Sequence, residues 1–474
     1  MSNTSKNYSI PLAFLTLLFF MWGFITCLND ILIPHFKQVF TLSYFESMLV
    51  QFAFFGAYFV GSLIYFFISS SIGDPINKIG YKNGIILGLG ISALGTFLFY
   101  PAAELGSFGF FLTALFVLAL GFTLLQIAAN PYVTMMGKPE TASQRLSLAG
   151  AINSFGTTIA PLIGGVLILS AIGENAGLES VKKPYLFLTA LFVVLMLVFK
   201  LVKLPDFSNK ETIEKGAGAL KFPQLVLGIF AIFFYVGGEV TVGSFMSNFV
   251  QLPEIQGVSL EQSTLFVTLY WGSLMIGRFT DSVSVFNLSA AAKKILTAVV
   301  PVVTYFFILL MIQIKSGDTS LAMSDLMIYL PFIGVSIVAF YIGNQNPGRT
   351  LLLFSVISIV LLLLAVSTSG KLAMWSAISV GLYNSIMWPA IFTLAIAGLG
   401  KYTSQGSSLL IMAILGGALI PPLQGLLADA KGVQFSFVLP IVCYVYLAYY
   451  GWKIPKLLTK QQIELNEESA KKGH

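Results

Sequence analysis

Charge is scarce in this chain. Of 474 residues only 10% are Asp, Glu, Lys or Arg, against about 25% in soluble domains, so a water-soluble fold is excluded. Cysteine and histidine are scarcer still, with two of each. Cys27 and Cys443 both lie in apolar runs, which excludes a disulfide framework, and neither His35 nor His474 has a Cys/His cluster around it that would bind a metal. No polar stretch is long enough to form a separate soluble domain. The clustered His, Cys or paired carboxylates of a membrane-embedded enzyme are also missing. A channel would need rings of repeated polar residues or a filter loop, and the repeat described below argues for a different device.

Apolar sequence is what the chain has in quantity: 57% of it is hydrophobic. Runs of about 20 apolar residues separated by polar turns predict fourteen membrane helices. Their approximate spans are 10–34, 44–70, 83–101, 107–135, 146–171, 184–203, 223–249, 262–284, 294–314, 325–343, 350–367, 372–398, 406–428 and 433–452. The first run is too long and poorly flanked for a cleaved signal peptide and is expected to remain as a helix. With the N-terminus in the cytoplasm, 20 of the 26 Lys and Arg residues fall inside and six outside, which sets an N-in, C-in orientation. The same bias explains the net charge of +6 without invoking nucleic acid.

The chain repeats itself weakly about the polar connector between Leu204 and Lys221. Phe19-Phe20-Met21-Trp22-Gly23 is matched by Phe233-Phe234-Tyr235-Val236-Gly237, and Asn130-Pro131 by Trp388-Pro389 near Asn384. Pro161 with Gly164-Gly165 is matched by Gly416-Gly417 with Pro421-Pro422. Internal symmetry with helices interrupted by Pro and Gly at corresponding places points to a secondary transporter. The expected organisation is an N-terminal six-helix bundle over 1–203, a cytoplasmic linker over 204–222, a C-terminal bundle over 223–460 and a tail over 461–474. Two surplus hydrophobic runs, at about 293–345, read as a hairpin inserted into the second bundle.

Two acids stand well inside apolar spans, away from their ends. Asp30 follows Leu28-Asn29 in the first, and a carboxylate there costs roughly 2.5–3.5 kcal/mol on insertion scales, so it reads as a proton relay, an ion ligand or a pathway group. Glu239 stands inside the span at 223–249.

Seven segments together resemble the fucose and glucose/galactose permease family of the major facilitator superfamily. They are Leu28-Asn29-Asp30-Ile31-Leu32-Ile33-Pro34, Gln126-Ile127-Ala128-Ala129-Asn130-Pro131-Tyr132-Val133, Asn153-Ser154-Phe155-Gly156, Phe234-Tyr235-Val236-Gly237-Gly238-Glu239, Tyr270-Trp271-Gly272 with Gly277-Arg278-Phe279, Asn384-Ser385-Ile386-Met387-Trp388-Pro389, and Gly416 to Gly425. The resemblance covers nearly the whole chain except the hairpin. It implies two six-helix bundles around a central sugar site, alternating access, and uptake of a hexose coupled to an ion gradient. This chain departs from the fucose permease pattern at Gln126, where that pattern has a glutamate, and at Gly150, where it has a glutamine. The first departure removes a titratable group and the second a sugar ligand. Gln126 and Gly238-Glu239 look more like the glucose/galactose branch, some members of which are sodium-coupled.

On this resemblance Asp30 is the coupling group, with Thr26, Asn29, Gln126 and Asn130 offering neutral side-chain oxygens. One acid among neutral oxygens suits a monovalent cation, which makes Asp30 and Gln126 the expected Na⁺ ligands. Proton coupling needs the acid alone and stays open. A hexose packs the C–H-rich face of its ring on aromatic side chains and bonds its hydroxyls to amides and acids. Tyr235, Tyr270, Trp271 and Trp388 are the expected aromatics, and Asn153, Glu239, Asn248, Asn384 and Gln424 the expected hydroxyl partners. The loop Gly73-Asp74…Lys78…Gly80-Tyr81-Lys82 resembles the superfamily's cytoplasmic motif between helices 2 and 3. It nominates Asp74 and Lys78 as gate residues, with Arg278 and Asp281 as their second-half counterparts. The expectation is thus an all-α transporter in a bacterial inner membrane. It would be monomeric among its lipids, with a hexose as substrate, no enzymatic activity and no cofactor beyond the coupling ion.

Overall fold

In hydrocarbon a backbone N–H or C=O finds no water, so a spanning segment has to bond its backbone to itself. The computed structural model, which describes residues 9–72, 75–136, 142–164, 177–202, 204–205, 218–283, 288–316, 327–343, 346–399 and 403–463, is accordingly helical, with no strand among those residues. The long helices are α1 (Ser9–Val39), α2 (Leu49–Ile72, after a turn at Tyr44–Ser47), α3 (Tyr81–Phe97, resumed over Phe99–Glu104) and α4 (Phe108–Met135). They continue with α5 (Ala142–Gly164), α6 (Glu179–Leu201), α7 (Pro223–Val250), α8 (Leu260–Ser282), α9 (Ala290–Ser316) and α10 (Leu330–Gly343). The last four are α11 (Pro347–Ser367), α12 (Gly370–Asn384, resumed over Met387–Ile396), α13 (Thr403–Met412, resumed over Gly416–Lys431) and α14 (Val438–Lys460).

Eleven described segments are long and apolar enough to cross a membrane, fewer than the fourteen expected. The described part of α10 has 14 residues, and α5 and α8 are of spanning length but more polar. Those two pack on each other across the middle of the molecule, and Ser154, Thr157 and Thr158 of α5 and Ser263, Thr264, Thr268 and Ser273 of α8 are buried. The other difference is at Pro34, where the first span was expected to end. The helix runs through it to Val39. Pro34 lacks the N–H that would bond the Asp30 carbonyl, one turn earlier.

The internal repeat is visible in the packing. In the first half α1 lies on α5, α2 and α3 lie on α4, and α3 lies on α6. In the second half α7 lies on α13, α8 and α11 lie on α12, and α11 lies on α14. The correspondence skips α9 and α10, which pack against α8 and α11 at the flank. There the Tyr329 and Ser273 hydroxyls bond at 2.5 Å, and Tyr383 donates to the Phe332 carbonyl. Glycine makes the equivalent crossing possible in each half. A Cβ on Gly156 would run into the Phe20 carbonyl, and one on Gly416 into the Phe233 carbonyl, so each helix pair touches backbone to backbone.

The halves meet along α5–α8 and α2–α13, and one end of that seam is shut. Asp429, at the end of α13, accepts the backbone N–H groups of Tyr44 and Phe45 at 2.8 and 2.9 Å. A carboxylate is favoured at a helix start by the unpaired N–H groups there. Next to it Gly425 lets the backbones close, since a Cβ there would lie 2.7 Å from the Phe45 Cα.

Candidate functional site

The site is built on α1. Going up this helix, Trp22 and Thr26 are half-buried, whereas Asn29 and Asp30 are sealed, at 0% and 1% exposure. On α7 the same change occurs after Glu239, which is half-buried, and Val240 to Val250 are all buried. Exposure thus falls off along both helices toward the level of Asp30, on the side latched by Asp429.

Asp30 ties the two halves together. Its Oδ1 accepts from the Gln51 amide on α2 at 3.1 Å and from the Ser244 hydroxyl on α7 at 3.1 Å. Its Oδ2 accepts from the Trp271 indole N–H on α8 at 2.7 Å. Among the described residues no Lys or Arg forms an ion pair with it. A buried carboxylate held by neutral dipoles alone carries a charge that a bound cation or a proton would neutralise.

The neutral oxygens expected around Asp30 are arranged differently. The Thr26 hydroxyl donates to the Trp22 carbonyl one turn back. Asn29 leaves both amide atoms buried and unpartnered, because the neighbouring position on a helix points about 100° away from Asp30. Gln126 on α4 sits near the Tyr58 phenol, and its Nε2 is buried without a partner. The side chain of Asn130 lies outside the described residues. Gln51 and Ser244 had gone unread in the sequence. A glutamine within an apolar span is costly enough to have flagged Gln51, but a serine such as Ser244 sends no comparable signal.

A second cluster lies in the C-terminal half. The Tyr235 hydroxyl donates to Glu239 Oε1 at 2.7 Å and contacts the Asn384 carbonyl at 3.2 Å. Asn384 donates from Nδ2 to the Tyr270 hydroxyl at 3.0 Å and accepts from Tyr444 at its Oδ1 at 2.8 Å. Tyr270 in turn donates to the Glu239 backbone carbonyl at 2.7 Å, and the Trp388 ring lies 6.4 Å from that of Tyr235. Four of the expected residues, Tyr235, Glu239, Tyr270 and Asn384, thus form one hydrogen-bonded group, with Trp388 beside it. Tyr444, which completes the group, was missed because tyrosine is common throughout the chain.

Other expected members fall elsewhere. Trp271 serves Asp30, although its ring stands 5.2 Å from that of Tyr270. Asn153 donates to the Phe19 carbonyl at the α1–α5 crossing. Asn248 is in the sealed part of α7 with its Nδ2 unpartnered. Gln424 donates to Ser436 within the second half, so its amide belongs to the connection between α13 and α14. Of the gate residues, Arg278 is half-buried and donates to the Ser154 hydroxyl on α5 at 2.5 Å, a bond across the seam, while Asp281 is exposed at the end of α8. Asp74 and the side chain of Lys78 lie outside the described residues. Lys82 donates to the carbonyls of Lys200 and Val202 and so caps the end of α6.

Two pseudo-repeated helical halves with a buried carboxylate at their seam define a polytopic membrane transporter fold. The family model of the Major Facilitator Superfamily matches residues 12–347. The glucose/galactose transporter of Brucella abortus is 44% identical over 95% of both chains. The putative glucose/galactose transporter of Helicobacter pylori is 39% identical over 96% of this chain and 98% of its own. The L-fucose-proton symporter of Escherichia coli is 28% identical over 94% of this chain and 93% of its own. A crystal structure of the fucose:proton symporter of E. coli superposes with a TM-score of 0.64, at 27% identity over 94% of this chain and 99% of that one. The chain belongs to the major facilitator superfamily and, within it, to the fucose and glucose/galactose permease family. It is a transporter, not an enzyme.

Proposed function

We propose that the protein imports a hexose of the glucose/galactose type into a bacterial cell by symport with Na⁺, through alternating access. The observation that carries this reading is Asp30, a sealed carboxylate shared by the two halves without a cationic partner among the described residues. Relatives named glucose/galactose transporters support the substrate class. Gln126, a neutral amide where the proton-coupled fucose pattern has an acid, supports sodium. In this reading the bundles over 1–203 and 223–460 rock about their seam, and the protein works as a monomer in the inner membrane. The Asp429 latch faces outside, so the partly exposed stretch of α1 and α7 below Asp30 is on the cytoplasmic side.

The residues divide the work. The Tyr235–Glu239–Asn384–Tyr270 group receives sugar hydroxyls, with Trp388 under the ring, and Arg278 on Ser154 helps hold the seam. Sodium neutralises Asp30 as the latched end closes. Either ligand alone leaves an uncompensated charge or unpaired polar groups, so closure is favoured when both are present. A second reading, proton coupling at Asp30, is favoured by the relatives named L-fucose-proton symporters.

Labelled glucose uptake into proteoliposomes, with Na⁺ and pH gradients imposed separately, decides between them. Accumulation driven by Na⁺ at equal pH is expected; accumulation driven by pH alone and indifferent to Na⁺ would overturn the sodium assignment. The sugar group makes its own prediction. Glu239→Gln keeps an acceptor but loses the charge-assisted bond, worth about 1–1.5 kcal/mol more than a neutral one, so half-saturation should rise about tenfold. Counterflow, which needs no ion gradient, measures it, and an unchanged half-saturation would remove Glu239 from the sugar site.

A further inference from the structure

We propose that the coupling cation is held on a facet formed by Asp30, Gln51 and Ser244, a site completed only when the two halves close over it. The inference rests on the sodium reading and supplies that reading with a ligand set. Gln51 Nε2, Asp30 Oδ1 and Ser244 Oγ form a triangle with sides of 3.1, 3.1 and 2.9 Å. All three side chains are sealed, at 2%, 1% and 0% exposure. The remaining amide atom, Gln51 Oε1, is buried and has no hydrogen-bond partner. A half-turn of the amide exchanges its two ends and converts the triangle to carboxylate, amide and hydroxyl oxygens. Hard cations of calcium's size take oxygens at roughly 2.3–2.6 Å, and sides of this length let one such ion touch all three corners.

Further oxygens are near the same place along the chain. Pro34 removes the N–H that would bond the Asp30 backbone carbonyl. Thr241, one turn before Ser244 and on the same side of α7, has a buried hydroxyl without a partner.

The amide gives the site two forms. With the ion absent, Gln51 presents its NH₂ group to Asp30 and Ser244, so the carboxylate stays bonded and the halves can close empty. With the ion present, Gln51 presents its oxygen and the serine hydroxyl turns its lone pairs inward. Asp30 and Gln51 come from the first half, whereas Ser244 comes from the second. An ion that enters from outside before the latched end closes therefore meets two ligands and gains the third on closure, and this links ion binding to the conformational step.

The test uses purified full-length protein titrated with NaCl against choline chloride at constant ionic strength. The readouts are the thermal unfolding midpoint and tryptophan fluorescence, the latter because the Trp271 indole bonds Asp30. The wild type should be stabilised saturably by Na⁺. Gln51→Met and Ser244→Ala should each raise the half-saturating Na⁺ concentration by about tenfold or more. Ser244→Thr, which keeps the oxygen, should stay within about threefold of wild type. Midpoints in choline alone identify any variant that is merely misfolded, and the contrast of Ser244→Thr with Ser244→Ala then carries the test. If Na⁺ stabilises the wild type and Asp30→Asn abolishes the effect, but Gln51→Met and Ser244→Ala leave it unchanged, the facet is wrong and the sodium reading stands. If Na⁺ has no effect on the wild type and a pH gradient drives uptake, the sodium reading fails and the facet with it.

Discussion

Asp30→Asn is expected to reduce the accumulation ratio of hexose in gradient-loaded proteoliposomes to about one, with the initial driven rate falling about 100-fold or more, while counterflow exchange persists. The substitution is close to isosteric but removes the charge that a coupling cation neutralises. Leaving one member of a buried charge pair without its partner costs about 3–5 kcal/mol, enough for a change of that size. The local cost is smaller and separable. Asn retains one oxygen for Gln51 and Ser244, but its NH₂ group then faces the Trp271 indole N–H, which also donates. A buried donor left without an acceptor costs about 1–3 kcal/mol, so the variant should fold with a somewhat lower melting temperature. Concentration of hexose by Asp30→Asn would rule out the role assigned to this residue.

Gly416→Leu and Gly156→Leu should each prevent accumulation of folded protein, or lower its stability by about 3 kcal/mol or more. Both positions have a backbone carbonyl where the new Cβ would go, that of Phe233 against Gly416 and that of Phe20 against Gly156. A flexible side chain could move aside, but a helix carbonyl cannot without separating the pair. Gly109→Leu and Gly334→Leu serve as controls, because neither position has a heavy atom within 4 Å of the added Cβ. The fraction of monodisperse protein surviving a heating series in detergent measures the difference. Equal survival of all four variants would mean that the two crossings are not closely packed backbone contacts.

How much of the site was legible depended on residue type. Asp30, Glu239 and Asn384 stood out because an acid or amide costs free energy in an apolar span, and the structure places all three at hydrogen-bonded centres. Gln424 stood out for the same reason, yet its amide bonds Ser436; expense alone does not say which neighbour offsets it. Ser244 and Tyr444 carried no comparable signal, since their bonding groups are cheap to hide inside a helix or common at every depth. The gate assignment of Arg278 came from a loop motif, whereas its bond to Ser154 depends on how α8 lies on α5.

By itself the sequence determined that the chain lives in a membrane, because so little charge and so many apolar runs leave no soluble alternative. Its repeat also set the expectation of two halves and a surplus pair, since periodicity and Gly/Pro spacing are properties of the chain read in one dimension. The partners of each polar group were decided by tertiary structure alone. Asp30 and Ser244 are 214 residues apart, and Tyr44 and Asp429 are 385 apart. Nothing along the chain encodes distances of that kind until two helical bundles close on one another. That closure converts an expensive carboxylate in the first helix into a bond between the halves.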